Sequence, residues 1–122
     1  MAKDQERRGR IRVDYQGRAE IWLEGARLSE VALRDISING LFAETSQKVT
    51  PGQACEVVIL LGPSEDQAVR IKGRVSRLEP AGFAIEFKGI DPESYSHLRN
   101  IVLYNSREPD KVEAEFVRPG IK

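Results

Sequence analysis

The stretch Asp35-Ile36-Ser37-Ile38-Asn39-Gly40 lies inside an apolar run that extends from Leu28 to Ala43. Val31 and Leu33 alternate with a period of two, as in a half-buried strand, but the polar stretch breaks that alternation. Either a β-bulge near its first residue switches the faces of the strand, or its polar side chains are turned toward a site. The remainder of the chain is interpreted around this stretch.

Further strands are predicted on both sides of this run, because apolar residues again recur with a period of two. The expected strands begin near Arg10 and near Ala19 and continue over residues 28–43, 54–61, 69–75 and 83–87. The turns between them are expected at Gln16-Gly17, Glu24-Gly25, Thr50-Pro51-Gly52, Gly62-Pro63-Ser64-Glu65-Asp66 and Pro80-Ala81-Gly82. About six strands at such spacings are typical of an antiparallel barrel or sandwich, and we favour a mainly β, six-stranded antiparallel β-barrel.

A C-terminal helix is expected after the last strand. Asp91 is a good helix N-cap, and Pro92 fits the first helical turn. An apolar stripe follows at helical spacing, centred on Leu98, Ile101 and Val102. A second short helix is predicted to begin near Pro109, with Val112 and Phe116 one turn apart. We therefore expect one domain over residues 1–122, with a flexible arm at 1–9, a barrel at 10–90 and a helical part at 91–118.

Positive charge is concentrated at the N-terminus, although the formal net charge of the 122 residues is zero. Residues 1–12 carry five basic side chains against two acidic ones: Lys3, Arg7, Arg8, Arg10 and Arg12, with Asp4 and Glu6. This distribution suits a discrete anionic ligand better than a long nucleic-acid track. Cys55 is the only cysteine, and the aliphatic run over residues 57–61 is too short to span a bilayer, so we expect a cytoplasmic protein without membrane insertion.

The arginines near the N-terminus are candidates for binding phosphates and guanine edges. Guanidinium groups offer forked donors to phosphate oxygens and stack on base faces. In an extended chain Arg8 and Arg12 lie on the same side, roughly 13 Å apart, which suits the two ends of a dinucleotide. Arg7 would face the other way unless the arm folds around the ligand. A solvated basic arm is the alternative interpretation.

Asp35 is a carboxylate among apolar neighbours and therefore needs donors. The Watson–Crick edge of guanine supplies two, N1–H and N2–H₂. Ser37 adds a small donor and acceptor, and Gly40 permits either a positive φ or close approach to the backbone. The alternative is a simple hairpin, in which Asp35 and Ser37 bond their own backbone and Asn39-Gly40 forms a tight turn.

The two segments together resemble the PilZ domain, a family of cyclic di-GMP receptors. The family signature is Arg-x-x-x-Arg followed by Asp/Asn-x-Ser-x-x-Gly; here Arg8-Gly9-Arg10-Ile11-Arg12, preceded by Arg7, is followed after 22 residues by the segment from Asp35 to Gly40. The resemblance covers residues 6 to 105. It implies a six-stranded antiparallel barrel and a receptor or adaptor that changes conformation on binding cyclic di-GMP and signals to a partner protein. It further implies that Arg7, Arg8 and Arg12 hold phosphates and guanine edges, Asp35 reads guanine, and Ser37 and Gly40 line the pocket.

Other functions fit the residues less well. An enzyme would have to use His97, the only histidine, together with Ser37 and Asp35, and one histidine with one cysteine makes no metal set, so we expect neither catalysis nor a cofactor. A small-barrel nucleic-acid binder would need clustered aromatic residues on a positive groove, and the aromatic residues here are scattered. An interaction module with a vestigial nucleotide site is the third alternative.

Overall fold

A computed structural model describes residues 6–7, 10–61 and 68–106. Within these ranges, nine strands precede one helix: β1 (Glu6–Arg7), β2 (Arg10–Ile11), β3 (Val13–Asp14), β4 (Arg18–Leu23), β5 (Ala26–Ser37), β6 (Gly40–Glu44), β7 (Ala54–Leu60), β8 (Ala68–Glu79), β9 (Gly82–Ile90) and α1 (Pro92–Asn105). The predicted loop over 62–66 and the predicted second helix near Pro109, with Val112 and Phe116, lie outside the described residues.

Six of the strands close into an antiparallel barrel, which confirms the predicted fold class. Their order around the barrel is β5, β4, β7, β8, β9 and β6, and β6 returns to pair with β5. The 12-residue β5 makes this closure possible, because its first part pairs with β4 and its last part pairs with β6 on the other edge. β3 extends the β4 edge by pairing with the end of β5. The end of β5 is therefore flanked by β3 and β6.

The barrel interior is filled by the residues that the alternation predicted. Ala19, Ile21 and Leu23 of β4 point inward, and Trp22 between them is 45% exposed. The same pattern places Val69 and Ile71 of β8 in the interior. Branched and aromatic side chains dominate this core, as expected for pleated strands that pack on one face. Burial of these inward rows is the principal stabilisation of the fold.

Helix α1 packs its apolar stripe into the same core. Asp91 is the N-cap, and its carboxylate accepts a hydrogen bond of 3.1 Å from the backbone N–H of Ser94. Buried Ser94 also ties the helix to the barrel, because its Oγ accepts a hydrogen bond of 3.0 Å from the backbone N–H of Arg70. The predicted stripe is buried in the core: Leu98, Ile101 and Val102. No helix in the described ranges is long and apolar enough to cross a membrane.

The estimated spacing between Arg8 and Arg12 assumed an extended chain. Glu6 pairs with Ile11 and Arg7 pairs with Arg10, so β1 and β2 form a short antiparallel ladder. The chain reverses direction between these strands. Spacing along an extended chain, which gave roughly 13 Å between Arg8 and Arg12, therefore does not apply.

Candidate functional site

A β-bulge at the end of β5 positions the polar residues of the candidate site. Leu33 pairs with Ala43 and Asp35 pairs with Phe42, so Arg34 is the extra residue on β5. Upstream of it Val31 and Leu33 point inward, and downstream Ile36 does. The bulge thus swings Asp35 out of the core row to which strict alternation would assign it. The sequence left two explanations for the broken alternation, and the structure shows the β-bulge.

Ser37 organises the tight turn that follows. Its side chain is fully buried, and its Oγ accepts a hydrogen bond of 3.3 Å from the backbone N–H of Asn39. The same hydroxyl donates to Asn39 Oδ1 at 3.0 Å. Because Ser37 pairs with Gly40 across the hairpin, the turn residues are Ile38 and Asn39, one position earlier than the predicted Asn39-Gly40 turn. Ser37 bonds its own backbone here, as the hairpin interpretation expected.

Gly40 is required for packing between strands. A Cβ at this position would lie 2.7 Å from the backbone oxygen of Ile85 in β9, closer than side chains tolerate. Its φ is not positive, so the close-approach alternative applies and the positive-φ alternative does not. The neighbouring turn is fixed to the same strand, since the backbone N–H of Phe87 donates to Asn39 O at 2.9 Å. The absence of a side chain at Gly40 therefore allows the hairpin to pack closely against β9.

Arg12 joins the two sequence motifs. Its Nη2 lies 3.3 Å from Asp35 Oδ1, and its Nη1 donates to Ser37 Oγ at 3.4 Å. Residues 25 positions apart in the sequence are thus brought together by the pairing of β3 with β5. The Arg12 side chain is 36% exposed and that of Asp35 is 19% exposed. The Arg12 side of this ion pair is therefore partly exposed, whereas the Asp35 oxygen that it contacts is buried.

Asp35 is incompletely satisfied in this arrangement. Its Oδ1 is buried and receives no hydrogen bond within the described part of the chain, because the 3.3 Å contact with Arg12 lacks hydrogen-bond geometry. Its Oδ2 lies 3.6 Å from Nε of Arg34, which is also an ion pair at long range. A buried carboxylate oxygen without a donor is costly. The site therefore has capacity for a ligand that brings N–H donors.

A cluster that the sequence interpretation missed adjoins Asp35. The guanidinium of Arg34 lies over the ring of Phe42, 3.8 Å from its centroid. Arg34 Nη2 is 3.7 Å from Glu79 Oε1, and the other oxygen of Glu79 accepts a 3.0 Å hydrogen bond from Nε of Arg77. Only the bulge brings Arg34 to the same side as Asp35. A possible signal in the sequence was the position of this arginine immediately before the broken alternation.

The described structure covers only part of the predicted arginine cluster. Arg12 contacts both Asp35 and Ser37, as noted above. The backbone of Arg7 belongs to β1, and Arg8 lies outside the described residues. The contribution of Arg7 and Arg8 to binding stays a prediction.

Other reactive groups of the described residues form no second site. No set of three histidine, cysteine or acidic residues in the described ranges could hold a metal ion. Cys55 is buried on β7, and burial raises the pKa of its thiol to about 11. The thiol is thus protonated and unreactive at neutral pH.

The chain is similar to a known protein family and to solved structures. The chain matches the PilZ domain family over residues 5–104. No curated protein sequence matches the chain significantly. Solved structures with a similar fold include the Bacillus subtilis inhibitor of motility (MotI/DgrA), at a TM-score of 0.62 and 18% identity, with 80% of this chain and 50% of that chain covered. The chain thus spans half the length of that protein.

The PilZ domain of YcgR from Escherichia coli, solved with cyclic di-GMP, is similar over nearly its whole length. The TM-score is 0.63 at 16% identity, with 91% of this chain and 98% of that chain covered. At such identities the two structures establish the fold. Together with the family match over most of the sequence, they show that this chain belongs to the PilZ domain family.

Proposed function

We propose that this protein is a receptor for cyclic di-GMP that works by binding rather than by catalysis. The observation that carries the proposal is the contact of Arg12 with both Asp35 and Ser37, which unites the two halves of the family signature. The structure of YcgR with cyclic di-GMP adds support from a similar fold. The missing donor at Asp35 Oδ1 is what the N1–H and N2–H₂ groups of a guanine edge would provide.

In this proposal the acidic residue binds the guanine base and the basic residues bind the phosphates. Asp35 would accept from the guanine edge, and Arg12 would turn from the carboxylate to a phosphate oxygen, where its forked donors fit better. Arg7 and Arg8 would add further guanidinium groups. Ser37 and Gly40 would hold the floor of the site, since both fix the hairpin that carries Asp35. No cofactor is needed for this function.

Conformational signalling would follow from the exchange of partners at Arg12. Without ligand, Arg12 links the segment after β2 to the barrel through a half-exposed ion pair. When a phosphate takes the guanidinium, the N-terminal segment moves with it, and a downstream protein recognises the new surface. A receptor for an intracellular second messenger of bacteria acts in the cytoplasm, where we place this protein.

Isothermal titration of the purified protein with cyclic di-GMP tests the proposal. GMP and single-stranded RNA serve as controls, because GMP carries the same base and RNA carries the same phosphodiester linkage without the cyclic dinucleotide. We expect saturable binding of cyclic di-GMP only. If cyclic di-GMP produces no heat at any concentration, the chain is an interaction module with a vestigial site; binding of RNA alone would favour the small-barrel nucleic-acid function.

A further inference from the structure

A depression of about 540 Å³ is lined by Arg34, which precedes Asp35 on β5, and by Asp14, which pairs with Asp35 across the sheet. Its walls come from the end of β3, the β3–β4 connection, β5 and the end of β6. The lining includes Asp14, which is the register partner of Asp35 on β3, as well as Arg34 and Glu44. The volume falls within the range of about 300–1,000 Å³ that is typical of small-molecule sites. The family signature contains none of these three residues.

Arg34 is one of the lining residues, and its guanidinium is held against an aromatic ring. One side of its guanidinium lies on Phe42, whose ring is only 1% exposed although it faces away from the barrel core. The side chain is 42% exposed, so part of the guanidinium remains accessible from solvent. Its carboxylate contacts, 3.6 Å to Asp35 and 3.7 Å to Glu79, are longer than charge-assisted hydrogen bonds of about 2.7–2.9 Å. Phe42 therefore orients the group, while the carboxylates hold it loosely.

We propose that this depression is a second base subsite, in which one guanine of the dinucleotide stacks on Arg34 and its donor edge meets the carboxylate of Glu44. The inference rests on the proposed function and adds a site for the second base. Arg34 and Asp35 are consecutive residues at one bulge, so the depression adjoins the position proposed for the first guanine. Stacking on a guanidinium is available to any base, and the carboxylate selects guanine.

A purely structural role for Arg34 is the competing explanation, and the chain contains its own control. Arg27 lies over Trp22, 4.5 Å from the ring centroid, and pairs with Glu20 at 3.2 Å. This group repeats the arginine–aromatic–carboxylate arrangement and includes none of the residues that line the depression. Arg27→Ala therefore removes the same kind of contacts without touching the proposed subsite.

The first experiment measures the dissociation constant for cyclic di-GMP in Arg34→Ala, Arg34→Lys and Arg27→Ala. We expect a loss of about tenfold or more in Arg34→Ala, a similar loss in Arg34→Lys, and wild-type affinity in Arg27→Ala. Lysine keeps the charge and loses the planar face, so its behaviour separates stacking from simple attraction. Wild-type affinity in Arg34→Lys or Arg34→Ala would overturn the subsite.

The second experiment compares cyclic di-GMP with cyclic GMP–AMP, which keeps one guanine for Asp35 and places adenine at the second position. We expect the wild type to prefer cyclic di-GMP by about tenfold, and Glu44→Gln to reduce that preference. Equal affinity of the wild type for both ligands, or an undiminished preference in Glu44→Gln, would overturn guanine recognition in the depression.

If Asp35 variants weaken binding and the Arg34 variants do not, the proposed function stands and the subsite falls. If the wild type binds neither ligand, both fall.

Discussion

Asp35 carries the base selectivity of the proposed receptor, because its carboxylate is the acceptor left without a hydrogen-bond donor in the described structure. Replacement by alanine removes the group that distinguishes guanine from adenine, whose Watson–Crick edge lacks the N1–H and N2–H₂ donors. We predict that Asp35→Ala reduces the preference for cyclic di-GMP over cyclic di-AMP in a competition assay. Asp35→Asn is the conservative control: asparagine occurs at this position in the family signature, and its amide oxygen still accepts from guanine, so we expect it to keep more of the preference than Asp35→Ala. Undiminished discrimination in Asp35→Ala would show that Asp35 is a structural residue.

Arg12 should contribute affinity rather than selectivity. Its side chain is 36% exposed, so a ligand can reach it from solvent. In the complex it would form charge-assisted bonds to a dianion, and we predict that Arg12→Ala costs at least about 2 kcal/mol of binding free energy, roughly thirtyfold in the dissociation constant. Isothermal titration measures this, with Arg27→Ala as the matched loss of an arginine. Equal affinities of the two variants would remove Arg12 from the site.

The β5–β6 hairpin is the element on which the site depends, and Gly40 is its tightest point. A methyl group there would press on the backbone oxygen of Ile85, which cannot move without disturbing β9. We predict that Gly40→Ala lowers the free energy of unfolding by about 1–3 kcal/mol in urea denaturation. Gly89→Ala is the control, because its new methyl would meet only the Cβ of Lys72 at 4.0 Å. A Gly40→Ala variant as stable as Gly89→Ala would mean that the contact relaxes without cost.

Helix α1 should respond to acid through its N-cap. The hydrogen bond from the backbone N–H of Ser94 lowers the pKa of Asp91 below its ordinary value of 3.8. A lowered folded-state pKa stabilises the protein fully above the unfolded value, and this contribution is lost as pH falls through the folded value. We predict that Asp91→Ser, which keeps a cap without a titrating group, has a melting temperature that falls less than the wild type between pH 5 and pH 2. Parallel curves for the two proteins would contradict this.

At the scale of elements, the sequence predicted what alternation and capping determine. The inward residues of β4, the Asp91 cap and the buried stripe of α1 follow from local periodicity, and the structure confirms them. The sequence could not predict whether a bulge breaks the alternation near Asp35, because a bulge depends on the register of the neighbouring strand. Arg34 was missed for the same reason. Only the pairing of Asp35 with Phe42 shows that the side chains of Arg34 and Asp35 lie on the same surface.

At the scale of the whole molecule, barrel closure brings together motifs that are distant in sequence. The pairing of β3 with β5 sets Arg12 beside Asp35 and Ser37, and the pairing of β6 with β9 supports the turn beneath them. The resemblance to a known family supplied the ligand, which no residue pattern alone specifies. The extended-chain spacing of Arg8 and Arg12 does not apply, because the β1–β2 ladder is a pairing between residues that periodicity does not reveal.

The central claim is that the folded protein binds cyclic di-GMP at the Arg12–Asp35 site, and thermal melting tests it most directly. A ligand that binds only the folded state, present at a hundredfold excess over its dissociation constant, stabilises that state by about 2.7 kcal/mol. For a domain of this size, each kcal/mol raises the melting temperature by roughly 3–6 °C. We predict a rise of roughly 8–16 °C with cyclic di-GMP, a far smaller rise with GMP, and a loss of the shift in the Arg8→Ala, Arg12→Ala double variant, which should stay folded. An unchanged wild-type melting temperature at saturating cyclic di-GMP would contradict the claim.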